Sequence, residues 1–167
     1  MITLGVDPGT ALLGYGLVSG DDDPELMVYG VVETSKVESM PERLKRLYDS
    51  VWELIREHEP DVLAIEQLFF SRNVTTALAV GQARGVVLLA AAQHGMDVFE
   101  YKPSEVKQTI AGHGNADKLQ MQEMVRMLLG LREVPKPDDA ADALAVALCH
   151  VQMSRLSRRF GIPGRNQ

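Results

Sequence analysis

The 167-residue sequence predicts one α/β domain, built on a mixed five-stranded sheet and flanked by helices. Three observations carry this prediction. Three short β-forming runs near the N-terminus are joined by tight turns, the arrangement of an antiparallel meander. Two later strand-like runs each follow a long helical stretch, and strand–helix–strand order gives parallel pairing through crossovers. The length suits one well-buried domain and is too short for two of ordinary size.

Residues 1–10, MITLGVDPGT, open the sheet. Ile2, Leu4 and Val6 alternate with small or polar residues, and Pro8-Gly9 breaks the run directly after Asp7. An acid therefore ends a strand, next to a glycine that lets a phosphate or metal approach; Asp-Pro-Gly is also ordinary turn chemistry. Residues 13–19 and 26–32 complete the meander across the acidic turn 20–24. From Pro41 to residue 58 the apolar positions Leu44, Leu47, Tyr48, Val51, Leu54 and Ile55 have helical spacing, and Pro60 closes that helix. Residues 62–65 form an apolar, buried-type strand that ends in a second acid, Glu66. A loop, 68–73, leads to a helix at 74–93, a fifth strand at 96–101 and a short helix at 103–110. Asn115 is expected to cap a helix over 116–129, and the last helix runs from Asp138 to about Leu156. Residues 1–157 thus read as one domain, followed by a basic, flexible tail at 158–167.

With 46% hydrophobic and 24% charged residues, the composition is that of an ordinary soluble protein. The first residues form neither a charged n-region nor a leader, and Gln82 and Arg84 interrupt the most apolar stretch. No membrane span and a cytoplasmic location are expected. Cys149 reads as a small buried apolar residue with no disulfide partner in the chain. A net charge of −6 argues against a general nucleic-acid binder. Its distribution is uneven: residues 1–71 hold 14 acids and 5 bases, while residues 72–167 hold 9 acids and 12 bases. This suits a protein with one basic face, or is mere surface composition.

Asp7 and Glu66 end neighbouring strands and so face one opening. Asp139 and Asp142 are three apart and Asp138 and Asp142 four apart, so either pair shares a helix face, and spacing does not choose between them. Such carboxylates have no histidine or cysteine partner at ligand spacing. Crowded like charges need protons or cations among them, and all-oxygen ligation selects Mg²⁺ or Mn²⁺ over zinc. Two such ions roughly 4 Å apart serve in-line attack on a phosphodiester. No Walker loop occurs, and no motif supports nucleophilic catalysis.

Other residues are open to two readings. Phe69 and Phe70 either close the end of the core or offer a ring to stack on bases. Lys118, in a first helical turn, is disfavoured by the helix dipole, which a phosphate would explain; otherwise it is a solvated lysine, as Lys107 is by default. Ala77, Gly81 and Gly85 recur once per turn, and each glycine costs roughly 1 kcal/mol of helix propensity. Close packing should offset that, against the protein's own sheet or against a second copy.

GVDPGT, AIEQLFF, GQARGVVL, VFEYKPSEVKQTIAGHGNADK and DDAADALAVALCH, in this order and spacing, resemble the crossover-junction endodeoxyribonucleases of the RuvC family. The resemblance spans nearly the whole chain. It implies a ribonuclease-H-like fold and a homodimer that resolves four-way (Holliday) DNA junctions in recombination and repair. Two opposed strands are nicked by hydrolysis with two Mg²⁺ or Mn²⁺ ions per site, leaving 5′-phosphate and 3′-hydroxyl ends, in cooperation with RuvA and RuvB. The family's catalytic, metal-binding acids fall on Asp7, Glu66, Asp139 and Asp142, with Asp7 bridging both ions. The D-A-A-D run selects Asp139, and Asp138 is an extra acid where many members have an uncharged residue. Phe69 matches the base-contacting aromatic, with Phe70 and Arg72 beside it on the DNA side, and Lys107 and Lys118 match basic residues that face the scissile backbone. Ala77, Gly81 and Gly85 fall in the family's dimer helix. Two alternatives stand beside this reading: a junction-binding scaffold without catalysis, and a sugar-kinase or actin-type phosphotransferase. The latter also uses D-x-G-T but needs a second domain for which 167 residues leave no room.

Overall fold

The computed structural model describes residues 1–68 and 74–161. Its elements follow the chain as β1 (Ile2–Asp7), β2 (Leu12–Ser19), β3 (Glu25–Glu33), α1 (Met40–His58), β4 (Val62–Glu66), α2 (Val74–Gln93), β5 (Asp97–Tyr101), α3 (Pro103–Ala111), α4 (Lys118–Leu128) and α5 (Asp138–Phe160). The five strands form one sheet in the order β3-β2-β1-β4-β5. The meander is antiparallel, while β4 pairs parallel to β1 and β5 parallel to β4, so the predicted mixed sheet is present.

Side-chain alternation divides the sheet into two faces. Leu4, Val6, Leu13, Leu17, Leu63 and Ile65 point to one face and pack with α1 and α2. Val18 and Ala64 point to the other, under α5 and its neighbours α3 and α4. The result is helices on both sides of a central sheet, with a core on each face. Leu4, Leu17, Leu63 and Leu144 are fully buried, and burying each such side chain contributes about 1.5–3 kcal/mol.

Two glycines let α5 lie close to β1 and β2. A Cβ built on Gly5 would stand 2.2 Å from the Ala143 carbonyl oxygen, and one on Gly14 would stand 2.0 Å from that of Asp139. Both distances are impossible for real atoms in contact. Ala140, Ala143 and Ala147 meet these glycines from the helix side. The small residues of α5 thus belong to packing against this sheet.

Several boundaries differ from expectation. Ser39 precedes α1 in a capping box, its backbone N–H and hydroxyl both donating to Glu42. Asp117, not Asn115, caps α4: its carboxylate accepts the Gln120 N–H at 2.9 Å, and Gln120 Oε1 accepts the Asp117 N–H at 3.0 Å. Reciprocal bonds at that spacing outcompete a lone asparagine upstream. α5 runs past Leu156 to Phe160, where Gly161 takes the left-handed cap conformation. Arg158, expected in a flexible tail, lies in that last turn and donates to Asp21 Oδ2 at 2.7 Å. Residues 162–167 lie outside the described residues.

The expectation for α2 also needs correction. Despite Gln82 and Arg84, Thr75–Gln93 is long and apolar enough to cross a membrane by length and composition. In the fold its Ala83, Val87, Ala90 and Ala91 are buried with the α1 side of the core, and Arg84 pairs with Glu100 of β5. An ion pair and a packed face bind it to the sheet.

Candidate active site

Strand register brings the first two acids together. Val6 pairs with Ile65 across the parallel β1–β4 ladder, so Asp7 and Glu66 are the next residues along each strand. Asp7 shares its face with Gly5, and Glu66 shares its face with Ala64; both side chains therefore lie on the α5 side of the sheet. Asp7 is also the register partner of Gly14 in β2. Because the start of α5 rests on Gly14, the first turns of that helix are delivered to the rim where Asp7 and Glu66 end. Asp139 and Asp142 come from those turns.

The electrostatics register this convergence. Burial pushes the Asp7 carboxyl up to about 7, and the carboxylates of Asp142, Glu66 and Asp139 push it in the same direction against Lys118. Burial also raises Glu66, with Asp142 adding to it and the Lys107 ammonium opposing it. Asp142 is raised by burial and held back by Lys118, whose ammonium lies 3.6 Å from its Oδ2. The four acids thus share one field. Beside them a cleft of about 260 Å³ is lined by Asp7, Glu66, Gln67, Thr76, Ala77 and Pro103, among others.

Asp138 points elsewhere. Its Oδ1 accepts from Gln122 Nε2 at 2.9 Å and from Lys136 Nζ at 2.8 Å, and its Oδ2 lies 3.1 Å from Lys118 Nζ. These donors hold its carboxyl far below the usual carboxylate range, Lys136 first. Both of its oxygens are engaged, and it does not enter the surroundings of Asp7. Of the two adjacent acids, the charge of Asp139 acts on both Asp7 and Asp142, whereas that of Asp138 acts on Asp142 alone.

The donor set is all oxygen and carries charge that Lys118 only partly offsets, which fits hard divalent cations. Among the described residues, no three His, Cys, Asp or Glu side chains are drawn together at ligating distance.

Of the other predicted residues, Phe69, Phe70 and Arg72 lie outside the described residues. Lys107 faces Glu66. Lys118 pairs with Asp138 and Asp142, so carboxylates of the protein offset its unfavourable place at a helix start. Ala77 lines the cleft. Among the described residues, Gly81 and Gly85 do not pack against the sheet: a Cβ on Gly81 would meet Leu68 alone, at 3.7 Å, and one on Gly85 would meet nothing within 4 Å. Sequence reasoning missed Gln122 and Lys136. Gln122 is one helical turn after Lys118, a spacing that places both on the face of α4 turned to Asp138.

The mixed sheet with acids at adjoining strand ends, completed by acids from a helix laid across it, defines a ribonuclease-H-like nuclease. The family model for "Crossover junction endodeoxyribonuclease RuvC" matches residues 3–150. The RuvC of Desulfitobacterium hafniense (strain DSM 10664 / DCB-2) is 55% identical over 162 residues, covering 96% of this chain and 98% of its own length. That of Chloroflexus aggregans is 54% identical over 163 residues, covering 97% and 99%. Among solved structures, Thermus thermophilus RuvC in complex with a Holliday junction substrate superimposes with a TM-score of 0.90 at 42% identity, covering 94% of this chain and 96% of that one. The yeast mitochondrial resolvase Ydc2, at 16% identity and a TM-score of 0.66, shares the fold. The chain belongs to the RuvC family of crossover junction endodeoxyribonucleases.

Proposed function

We propose that this nuclease resolves four-way DNA junctions as a homodimer, each subunit nicking one of two opposed strands by hydrolysis with two Mg²⁺ or Mn²⁺ ions. The observation that carries this reading is the approach of Asp7, Glu66, Asp139 and Asp142 to one rim, where burial, joined by the charges of the other three, raises Asp7 to about 7. Asp7, Glu66, Asp139 and Asp142 would hold the ions, which supply a polarised water and stabilise charge on the leaving oxygen. Lys107 and Lys118, at the edge of the cluster, orient the scissile phosphate and offset its charge. Water adds to phosphorus, the P–O3′ bond breaks, and the 3′ oxygen takes a proton, leaving 5′-phosphate and 3′-hydroxyl ends. Phe69, with Phe70 and Arg72, would contact the junction's bases and backbone.

The outward face of α2 supports the dimer. Leu78 and Leu89 are 64% and 51% exposed, and with Gly81 and Gly85 they form a stripe at helical spacing. An isologous contact through that stripe suits a substrate close to two-fold symmetry. RuvA and RuvB follow as partners from family membership. We place the protein in the cytoplasm, a location that suits an enzyme acting on DNA.

Incubating the protein with a synthetic mobile junction and Mg²⁺ or Mn²⁺ tests the reading. Paired symmetric nicks with ligatable ends are expected; binding without nicks would instead make the protein a junction-binding scaffold.

A further inference from the structure

We infer that Asp138 is a positioning residue that tethers Lys118, keeping its ammonium from closing onto Asp142 in place of a divalent cation. The inference rests on the metal-dependent reading above. Lys118 Nζ lies between two carboxylates, 3.1 Å from Asp138 and 3.6 Å from Asp142. Asp142 belongs to the cluster, while Asp138 is fixed outside it by Gln122 and Lys136. An ammonium shared in this way has a second anchor when a cation takes Asp142. It keeps a place at the rim instead of being expelled, with its remaining donors free to meet a phosphate.

The shared geometry sets a competition. A cation approaching Asp142 must displace one contact of Lys118, and the nearer carboxylate of Asp138 makes that displacement easier. Remove the Asp138 charge, and Lys118 has only Asp142 to neutralise it; the lysine then becomes a stronger rival to the ion. Asp138 therefore assists ion binding without touching the ion, and its chief route of influence is Lys118. Lys136 and Gln122 hold Asp138 still, which is why its carboxylate does not follow Lys118 into the cluster.

A double-mutant cycle read by direct Mn²⁺ binding, from the electron paramagnetic resonance of free Mn²⁺, tests this without DNA. Asp138→Asn is expected to weaken Mn²⁺ binding several-fold in the otherwise unchanged protein. Lys118→Met should tighten it. In the Lys118→Met background, Asp138→Asn should change binding by less than about twofold, and Asp138→Glu, which restores the charge, should recover most of the loss in the original background. An equal loss from Asp138→Asn with and without Lys118 would make Asp138 act on the ion directly and overturn the inference, as would the absence of any effect in the original protein. Failure of the metal-dependent reading is distinct: no variant, nor the parent, would then bind Mn²⁺ at all. Circular dichroism melts on each variant confirm that binding is compared between folded proteins.

Discussion

Asp7 and Gly14 face each other across the antiparallel β1–β2 ladder, and the missing side chain of Gly14 is filled by the backbone of Asp139. One acid of the site is therefore seated by the absence of a side chain opposite another. Gly14→Ala would force a methyl group to within 2.0 Å of a carbonyl oxygen, so α5 must lift at its start. We expect a loss of about 1–3 kcal/mol in stability, measured by urea unfolding, together with a fall in junction cleavage of at least tenfold. Unchanged cleavage would mean that Asp139 does not depend on this seat.

Asp7→Asn should abolish cleavage while keeping junction binding, because it removes an acid and leaves the basic residues intact. It also carries a pH signature in metal-free protein. Asp7 has a folded value near 7 against an ordinary 3.8, so the folded state holds the proton more tightly. Its contribution is most favourable at low pH and is lost as the pH rises from about 4 to 7. Melting temperature of the parent relative to Asp7→Asn should therefore fall as the pH rises across that window. A flat difference would show that the Asp7 carboxylate is not under strain from its neighbours.

His150 should act with the opposite sign. It is buried, accepts or donates at 2.8 Å to the Tyr101 hydroxyl, and stacks near Phe99. Burial, helped by Arg158, lowers it to about 4 from 6.5. The unfolded chain takes up that proton first, so stability is lost as the pH falls from about 6.5 to 4. His150→Gln is expected to flatten this acid limb in pH-dependent melting; an unchanged limb would assign it to other groups.

The exposed stripe on α2 gives a separate expectation. Leu89→Glu should dissociate the dimer in sedimentation equilibrium and turn paired nicks into single, uncoordinated ones, with little change in monomer fold because Leu89 is already half exposed. Gly85→Ala, facing open space, should raise helix stability by about 1 kcal/mol in a monomer but weaken a close dimer contact.

The strands and most helices were legible because their periods are strong: Leu4 and Val6 alternate with Thr3 and Gly5, and Leu47, Val51 and Ile55 repeat by turns. Asp7 and Glu66 stood out as charges at the ends of apolar runs. What the sequence concealed were relations made only by docking. Gly5 and Gly14 read as weak strand residues until α5 lies on them. Lys118 looked misplaced at a helix start because its counter-charges arrive from another helix, and the donors that engage Asp138, Lys136 and Gln122, come from outside α5 and were not visible in the D-D-A-A-D run.

The acids of the site come from both ends of the chain, two from parallel strands in the first 66 residues and two from a helix that begins at residue 138. The two strand acids thus wait on a helix made more than seventy residues later, which also packs on the strands that carry them. A polypeptide truncated before residue 138 carries two of the four acids and is expected to show no cleavage in the junction assay.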